Sequence, residues 1–365
     1  CACCWGCGRV VRAGYGGGSL IGNMCDAYIT GSSVVTDNSV VVLAESADHI
    51  QSYGGTISGS GTVGGGLTAF VNKLTSSATA SISGDSSVTA LGVTASTVDN
   101  WTRNADGSET EPTDKSVSGL AVVANSNNEI DVISVTVGVG GVVGIAGNLV
   151  VNIVETTTEA YIDDSTVNRE AAHGKLVRVM AHQETDINSG GGALSGGGTA
   201  AAGVSIDTNI INNTTRAYIA DDDNDRSSNN DDIFAGDLDV MALSSESITT
   251  TVVGLSIGGY FGGAGVGSGV KSSSRTESFI RNASVTADSD IDVQADSYIY
   301  GEFNDGSVAG GLVGAGATVA VGIFDGTTYA SAIGAQLDAG RDVKVGANSF
   351  EDLTVMAGTA AAGAG

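Results

Sequence analysis

Thr158-Glu159-Ala160-Tyr161-Ile162 is a stretch that the chain repeats. It returns as Arg216-Ala217-Tyr218-Ile219 and Glu277-Ser278-Phe279-Ile280, and occurs earlier as Asp26-Ala27-Tyr28-Ile29. Two looser copies, Thr79-Ala80-Ser81-Ile82 and Ala330-Ser331-Ala332-Ile333, bring the count to six. Their isoleucines lie 53, 80, 57, 61 and 53 residues apart. A near-constant period with occasional additions marks a repeat architecture, whose units bury their apolar faces against one another.

A second block of the form [Leu/Ile/Val]-x-Val-x-Ala follows each copy. It reads Val40-x-Val42-x-Ala44, Leu120-x-Val122-x-Ala124, Val177-x-Val179-x-Ala181, Leu238-x-Val240-x-Ala242, Ile291-x-Val293-x-Ala295 and Val343-x-Val345-x-Ala347. Leu91-x-Val93-x-Ala95 fits as well, leaving the second repeat with two candidates. Both blocks alternate with the period of a strand. Thr158, Ala160 and Ile162 share one face, and Glu159, Tyr161 and Asp163 the other. Likewise Leu238, Val240 and Ala242 point one way, Asp239 and Met241 the other. Sheets with one buried face follow, and helical periodicity is nowhere sustained. The expectation is an all-β solenoid of about six imperfect repeats of roughly 53 residues. No 26-residue sub-period shows, which favours one wide, flattened coil per repeat over two small ones.

Composition agrees. Gly accounts for 55 of 365 residues, Pro for one, aromatics for 5% and apolar residues for 41%. Cores must then be built from many Val, Ile, Leu and Ala side chains, with Gly-rich segments allowing close approach of backbones. A net charge of −26 argues against nucleic-acid binding, since no basic surface exists to neutralise phosphates. Val132 to Val154 is uncharged for 23 residues, but it is rich in Val and Gly and holds Asn148 and Asn152. It reads as buried strand, so no membrane span is expected.

Residues 1–18 form a separate Cys-rich segment or cap, with Cys1, Cys3, Cys4 and Cys7 crowded together. Cys4-x-x-Cys7 has no partner motif, and thiol chemistry is the weaker reading. Residues 19–365 form a single solenoid domain. Insertions at 96–116, 168–175 and 221–235 interrupt it, the last two at the junction after the first block, and the first at the same corner if Leu120-x-Val122-x-Ala124 is the true second block. Asn72, Asn152 and Asn209 recur at one aligned position, and Ser77, Thr157, Thr214 and Thr328 suggest a hydroxyl counterpart. Such side chains can hydrogen-bond from coil to coil as ladders.

Asn213-x-Thr215-x-Ala217-Tyr218-Ile219, followed by Gly236-Asp237-Leu238-Asp239-Val240-Met241-Ala242-Leu243-Ser244, resembles the repeats of large secreted bacterial exoproteins. The family is that of filamentous-haemagglutinin-like adhesins, especially the Gly/Ala-rich repeats of leukotoxin-type exoproteins. The resemblance spans about residues 19–365. It implies a parallel β-helix, secretion, and adhesion or filament building at the cell surface. Separately, the unpaired strand edges at the ends of a solenoid lead to the expectation of a homo-polymer along its axis. The alternatives are a module whose corner loops bind a cell-surface glycan or protein and, less favoured, a polysaccharide-cleaving β-helix.

The sequence points away from catalysis. His49, His173 and His182 lack metal-ligand spacing, and no Gly-x-Ser-x-Gly elbow occurs. Gly59-x-Gly61-x-x-Gly64 matches a dinucleotide fingerprint without its strand-to-helix context. No cofactor is expected, with one candidate exception. Asp221, Asp223, Asp225 and Asp232 fall at places 1, 3, 5 and 12 of a calcium loop. Arg226 stands where that loop needs Gly, which favours a solvated acidic loop over a Ca²⁺ site.

Overall fold

The computed structural model describes residues 3–5, 11–13, 16–102, 108, 112–169, 175–221 and 232–363. Every regular element among them is a strand, and three parallel sheets stack along one axis. Each coil runs down a long strand of the first sheet, turns back along a long strand of the second, and closes through a short strand of the third. Coil 1 comprises Val40–Ser60, Val63–Ser83 and Ser86–Ala90. Coil 2 comprises Gly119–Gly140, Val143–Asp163 and Ser165–Val167. Coil 3 has Leu176–Gly197, Ala200–Ala220 and Asp232–Ala235. Coil 4 has Leu238–Gly258, Phe261–Arg281 and Ser284–Ala287. Coil 5 has Ile291–Gly311, Val313–Ile333 and Gln336–Ala339, and Val343–Gly363 opens coil 6. Gly17–Thr30 and Ser33–Thr36 precede coil 1 in the second and third sheets. The repeat is therefore one wide, flattened coil. A strand of 21 residues spans about 70 Å.

The inward faces explain the register. In the first sheet Leu120, Val177, Leu238 and Ile291 stack in line, as do Val122, Val179, Val240 and Val293. Opposite them, Ile82, Ile162, Ile219 and Ile280 form a ladder on the second sheet. Small Ala160 and Ala217 let the sheets close around these side chains, and all are buried. Val88, Val167, Ile233 and Val285 of the third sheet seal the end of this wedge. A second apolar band joins Ile50, Ile130, Ile187 and Ile248 to Leu74, Val154, Ile211 and Val270. Beyond it the strands turn Gly-rich and the backbones approach closely. A Cβ on Gly258 would lie 1.8 Å from the Phe261 carbonyl oxygen.

Several expectations are refined. Leu120-Val122-Ala124 pairs with Val40-Val42-Ala44 and is the true second block, whereas Val93 is exposed in an irregular connection. The sixth copy of the first block is shifted by one residue. Ile280 pairs with Ala332, giving a spacing of 332 − 280 = 52, and Ile333 faces outward. The corner agrees, because after Ile29, Ile82, Ile162 and Ile280 the residue two further on takes a left-handed backbone. Gly31, Gly84, Asp164 and Asn282 have φ of 56°, 68°, 45° and 60°, and Gly334, with 65°, lies two beyond Ala332. Only Gly, Asn or Asp adopts that conformation cheaply.

The asparagine ladder forms inside the coils. Asn72 Nδ2 donates to Asn152 Oδ1 at 2.9 Å, and Asn152 Nδ2 to Asn209 Oδ1 at 2.8 Å. The hydroxyl ladder does not form as expected. Ser77, Thr157 and Thr214 are in line but face outward, and Thr327, not Thr328, continues their row. Thr328 belongs to an inward row with Thr158, Thr215 and Thr276, whose Oγ1 atoms find no hydrogen-bond partner.

The insertions do not all share the expected corner. Segments 96–116 and 168–175 both follow a third-sheet strand, whereas 221–235 precedes and includes one. The first folds as an antiparallel hairpin, Ser96–Asn100 against Thr113–Val117, over the outer face of the first sheet. At the start of the chain, Cys3–Trp5 and Val11–Ala13 pair in parallel with Val40–Ser60. Cys1 and Cys7 lie outside the described residues. Val132 to Val154 runs as strand, tight turn and strand. Among the described residues no helix is long and apolar enough to cross a membrane, a statement that does not extend to strands.

Candidate functional site

The proposed calcium loop is only partly within the described residues. Asp223 and Asp225 lie outside them. Asp221 is built into the corner after the second sheet, buried, with its N–H donating to the Arg281 carbonyl at 3.1 Å. Asp232 opens the short third-sheet strand of coil 3, half-buried.

The structure assembles a different group that the spacing of residues along the chain conceals. His49, Glu129 and Asp186 occupy one row on the outer face of the first sheet, and Gln51, Asp131 and Asn188 the next. His49 Nε2 lies 3.2 Å from Asp131 Oδ2 and 3.7 Å from Glu129 Oε2. One ligand atom from each of the three falls within 4.8 Å of the others. Burial, then Glu129 and Asp131, push the Asp186 carboxyl above its ordinary range, so negative charge is in excess here. One imidazole and two carboxylates can offer three ligands to a divalent metal. They stand on an open sheet face. Overlaying residue 49 on 129 and 186 through the Val-x-Ala blocks would have found them.

His182 is engaged elsewhere. Its ring stacks on Trp101 of the hairpin, centroids 4.0 Å apart and planes 8° from parallel. Buried Arg178 donates to Asn100 Oδ1 at 2.5 Å and Asp239 Oδ2 at 3.2 Å, and burial lowers its pKa. Trp101 is 5% exposed, so this aromatic serves packing. His173 lies outside the described residues. On the second sheet, Tyr161, Tyr218 and Phe279 stack in turn, with centroids 4.8 Å apart. Arg216 bridges Glu159 and Glu277 beside them, at 3.4 and 2.8 Å. Gly59, Gly61 and Gly64 shape a strand-to-strand turn and meet no helix.

Acidic side chains also enter the interior. Glu246 is fully buried and accepts from Ser272 at 2.5 Å, from Asn213 at 2.8 Å and from Ser274. Burial drives its pKa up. Asp207 accepts from Asn209 at 3.2 Å, and burial pushes its carboxyl up to about 7. These carboxyls face the inside of the solenoid, away from solvent. No family model matches this chain, and no curated protein or solved structure does so either.

Proposed function

We propose that the chain is a structural, non-enzymatic rod: a repeat segment of an extracellular surface fibre or adhesin stalk. The observation that carries this reading is the register of the coils. Each long strand pairs residue for residue with its equivalent in the next coil, so the molecule extends along one axis with a filled interior. A stack of this kind suits span and stiffness rather than turnover. The resemblance of its repeats to those of secreted filamentous adhesins supports the same reading, as does the acidic outer surface, which favours solubility. A glycan-binding role for the corner loops gains no support from Trp101, which is covered, nor from Tyr161, Tyr218 and Phe279, whose rings close on one another.

The test is assembly. Purified chain at micromolar concentration, followed by sedimentation and electron microscopy, should give rods that lengthen with concentration and an axial spacing near ~4.8 Å in fibre diffraction. Particles that stay monomeric at every concentration would exclude head-to-tail polymerisation of this segment.

A further inference from the structure

Two neighbouring rows on the outer face of the first sheet carry a ligand-type side chain at every position of coils 1 to 3. His49 and Gln51 stand on coil 1, Glu129 and Asp131 on coil 2, Asp186 and Asn188 on coil 3. Strand alternation turns all six outward, while Ile50, Ile130 and Ile187 between them are buried. The buried isoleucines hold the three backbones in register. The six side chains therefore emerge from a fixed grid, roughly 4.8 Å between coils and 6.8 Å along each strand.

Three of the six converge. His49 Nε2 lies 3.2 Å from Asp131 Oδ2 and 3.7 Å from Glu129 Oε2, and one atom of each falls within 4.8 Å of the others. Ligands about 2.1 Å from a tetrahedral Zn²⁺ stand about 3.4 Å from one another, so both edges at the imidazole are near the length that coordination sets. A neutral imidazole has one N–H at most to offer from Nε2, and Asp131 is within reach of it. The second carboxylate on the same nitrogen then has no proton to accept, whereas a shared cation satisfies both. The site is partly sheltered, with the His49 and Asp131 side chains 28% and 22% exposed. Asp186 adds a third carboxylate beside Glu129. Neither row holds a Lys or Arg from coil 1 to coil 6, and Arg12 takes the register position beside Gln51 before coil 1.

We propose that His49, Glu129 and Asp131 bind one Zn²⁺, with water in the fourth place, and that the ion ties coil 1 to coil 2. An imidazole among carboxylates suits a transition ion of this kind better than Ca²⁺, which takes six to eight oxygens. Gln51 and Asn188 flank Asp131 on either side, where they can orient it toward the metal. The clip also falls where it closes most chain. Leu120 pairs with Val40, 80 residues earlier, the longest step between successive strands of the first sheet from coil 1 onward. It does not rest on the fibre reading: a single rod that never polymerises would carry it too.

Zinc titration of the whole chain, its cysteines alkylated so that no thiolate competes, is the test. Calorimetry should show one site. His49→Gln and Asp131→Asn face outward and should leave the circular dichroism spectrum unchanged. Each should weaken zinc binding by more than the roughly 10–100-fold that loss of an outer-shell partner costs. Zinc should raise the urea midpoint of the wild type but not that of His49→Gln. Glu302→Gln, in the row of Asp131 but on coil 5, should alter neither result. Zinc that binds the His49→Gln chain as well as the wild type, or binds neither, would overturn the proposal. Ca²⁺ that binds as tightly as zinc and is indifferent to His49 would overturn it in favour of a merely acidic surface.

Discussion

Ile162 is 1% exposed in the ladder between Ile82 and Ile219, and Tyr161 beside it stacks outward on Tyr218. Ile162→Asp places an unpaired carboxylate in that core and should cost several kcal/mol. Tyr161→Asp should cost clearly less, and urea midpoints of the two variants rank them. A more damaging tyrosine change would reverse the assignment of faces. Asp207 gives a pH signature. Its ordinary value is 3.8 and its folded value about 7, raised by burial, with Asp305 adding to it against hydrogen bonds from Ser189 and Asn209. An unfolded chain releases this proton first, so the contribution is full below about pH 4 and is lost as pH rises through 7. It is on the order of 4 kcal/mol. Wild-type stability should fall between pH 4.5 and 8 more steeply than that of Asp207→Asn, and parallel curves would show that the carboxyl ionises freely in the folded state.

The 96–117 hairpin is held by packing of Val98, Trp101 and Val117 and by the Trp101–His182 stack. Trp101→Ala should remove about 3–5 kcal/mol of that packing and open the hairpin while the solenoid persists. Limited proteolysis would then cut within 96–117 at an unchanged circular dichroism spectrum, and equal protection of both proteins would show that the hairpin holds without the stack. Elements also show where reading the sequence succeeds. The long strands were legible because alternation over many residues, repeated along the chain, leaves one register that stacks Ile82, Ile162, Ile219 and Ile280 in the core. The third sheet escaped notice, since Ser284–Ala287 and its equivalents are three to five residues long, too short for a period to declare itself. The displaced Ile333 was misread because its residue type matched while its face did not; the glycine two past Ala332 carried the better signal. Nor does spacing along the chain reveal His49, Glu129 and Asp131, which meet only across coils.

At the scale of the molecule, each coil contacts its two neighbours and can be removed whole. Deleting 238–290 joins Asp237 to Ile291, which pairs with Leu238 and can take its place over Val177. The shortened chain should fold with the same strand signature and a lower unfolding free energy, read by circular dichroism in urea. Loss of folding would mean that coils 3 and 5 cannot stack directly.

Backbone hydrogen bonds of the three sheets run along the axis, so the direction of loading decides how the solenoid fails. Tension along the chain opens them one after another, as a zipper, and never loads a whole strand at once. From Leu120 to Val343 the first-sheet strands recur after 57, 61, 53 and 52 residues. Each coil pulled free would release about 180–210 Å of slack at full extension. A tether made this way gives ground in steps and dissipates a pull before it parts.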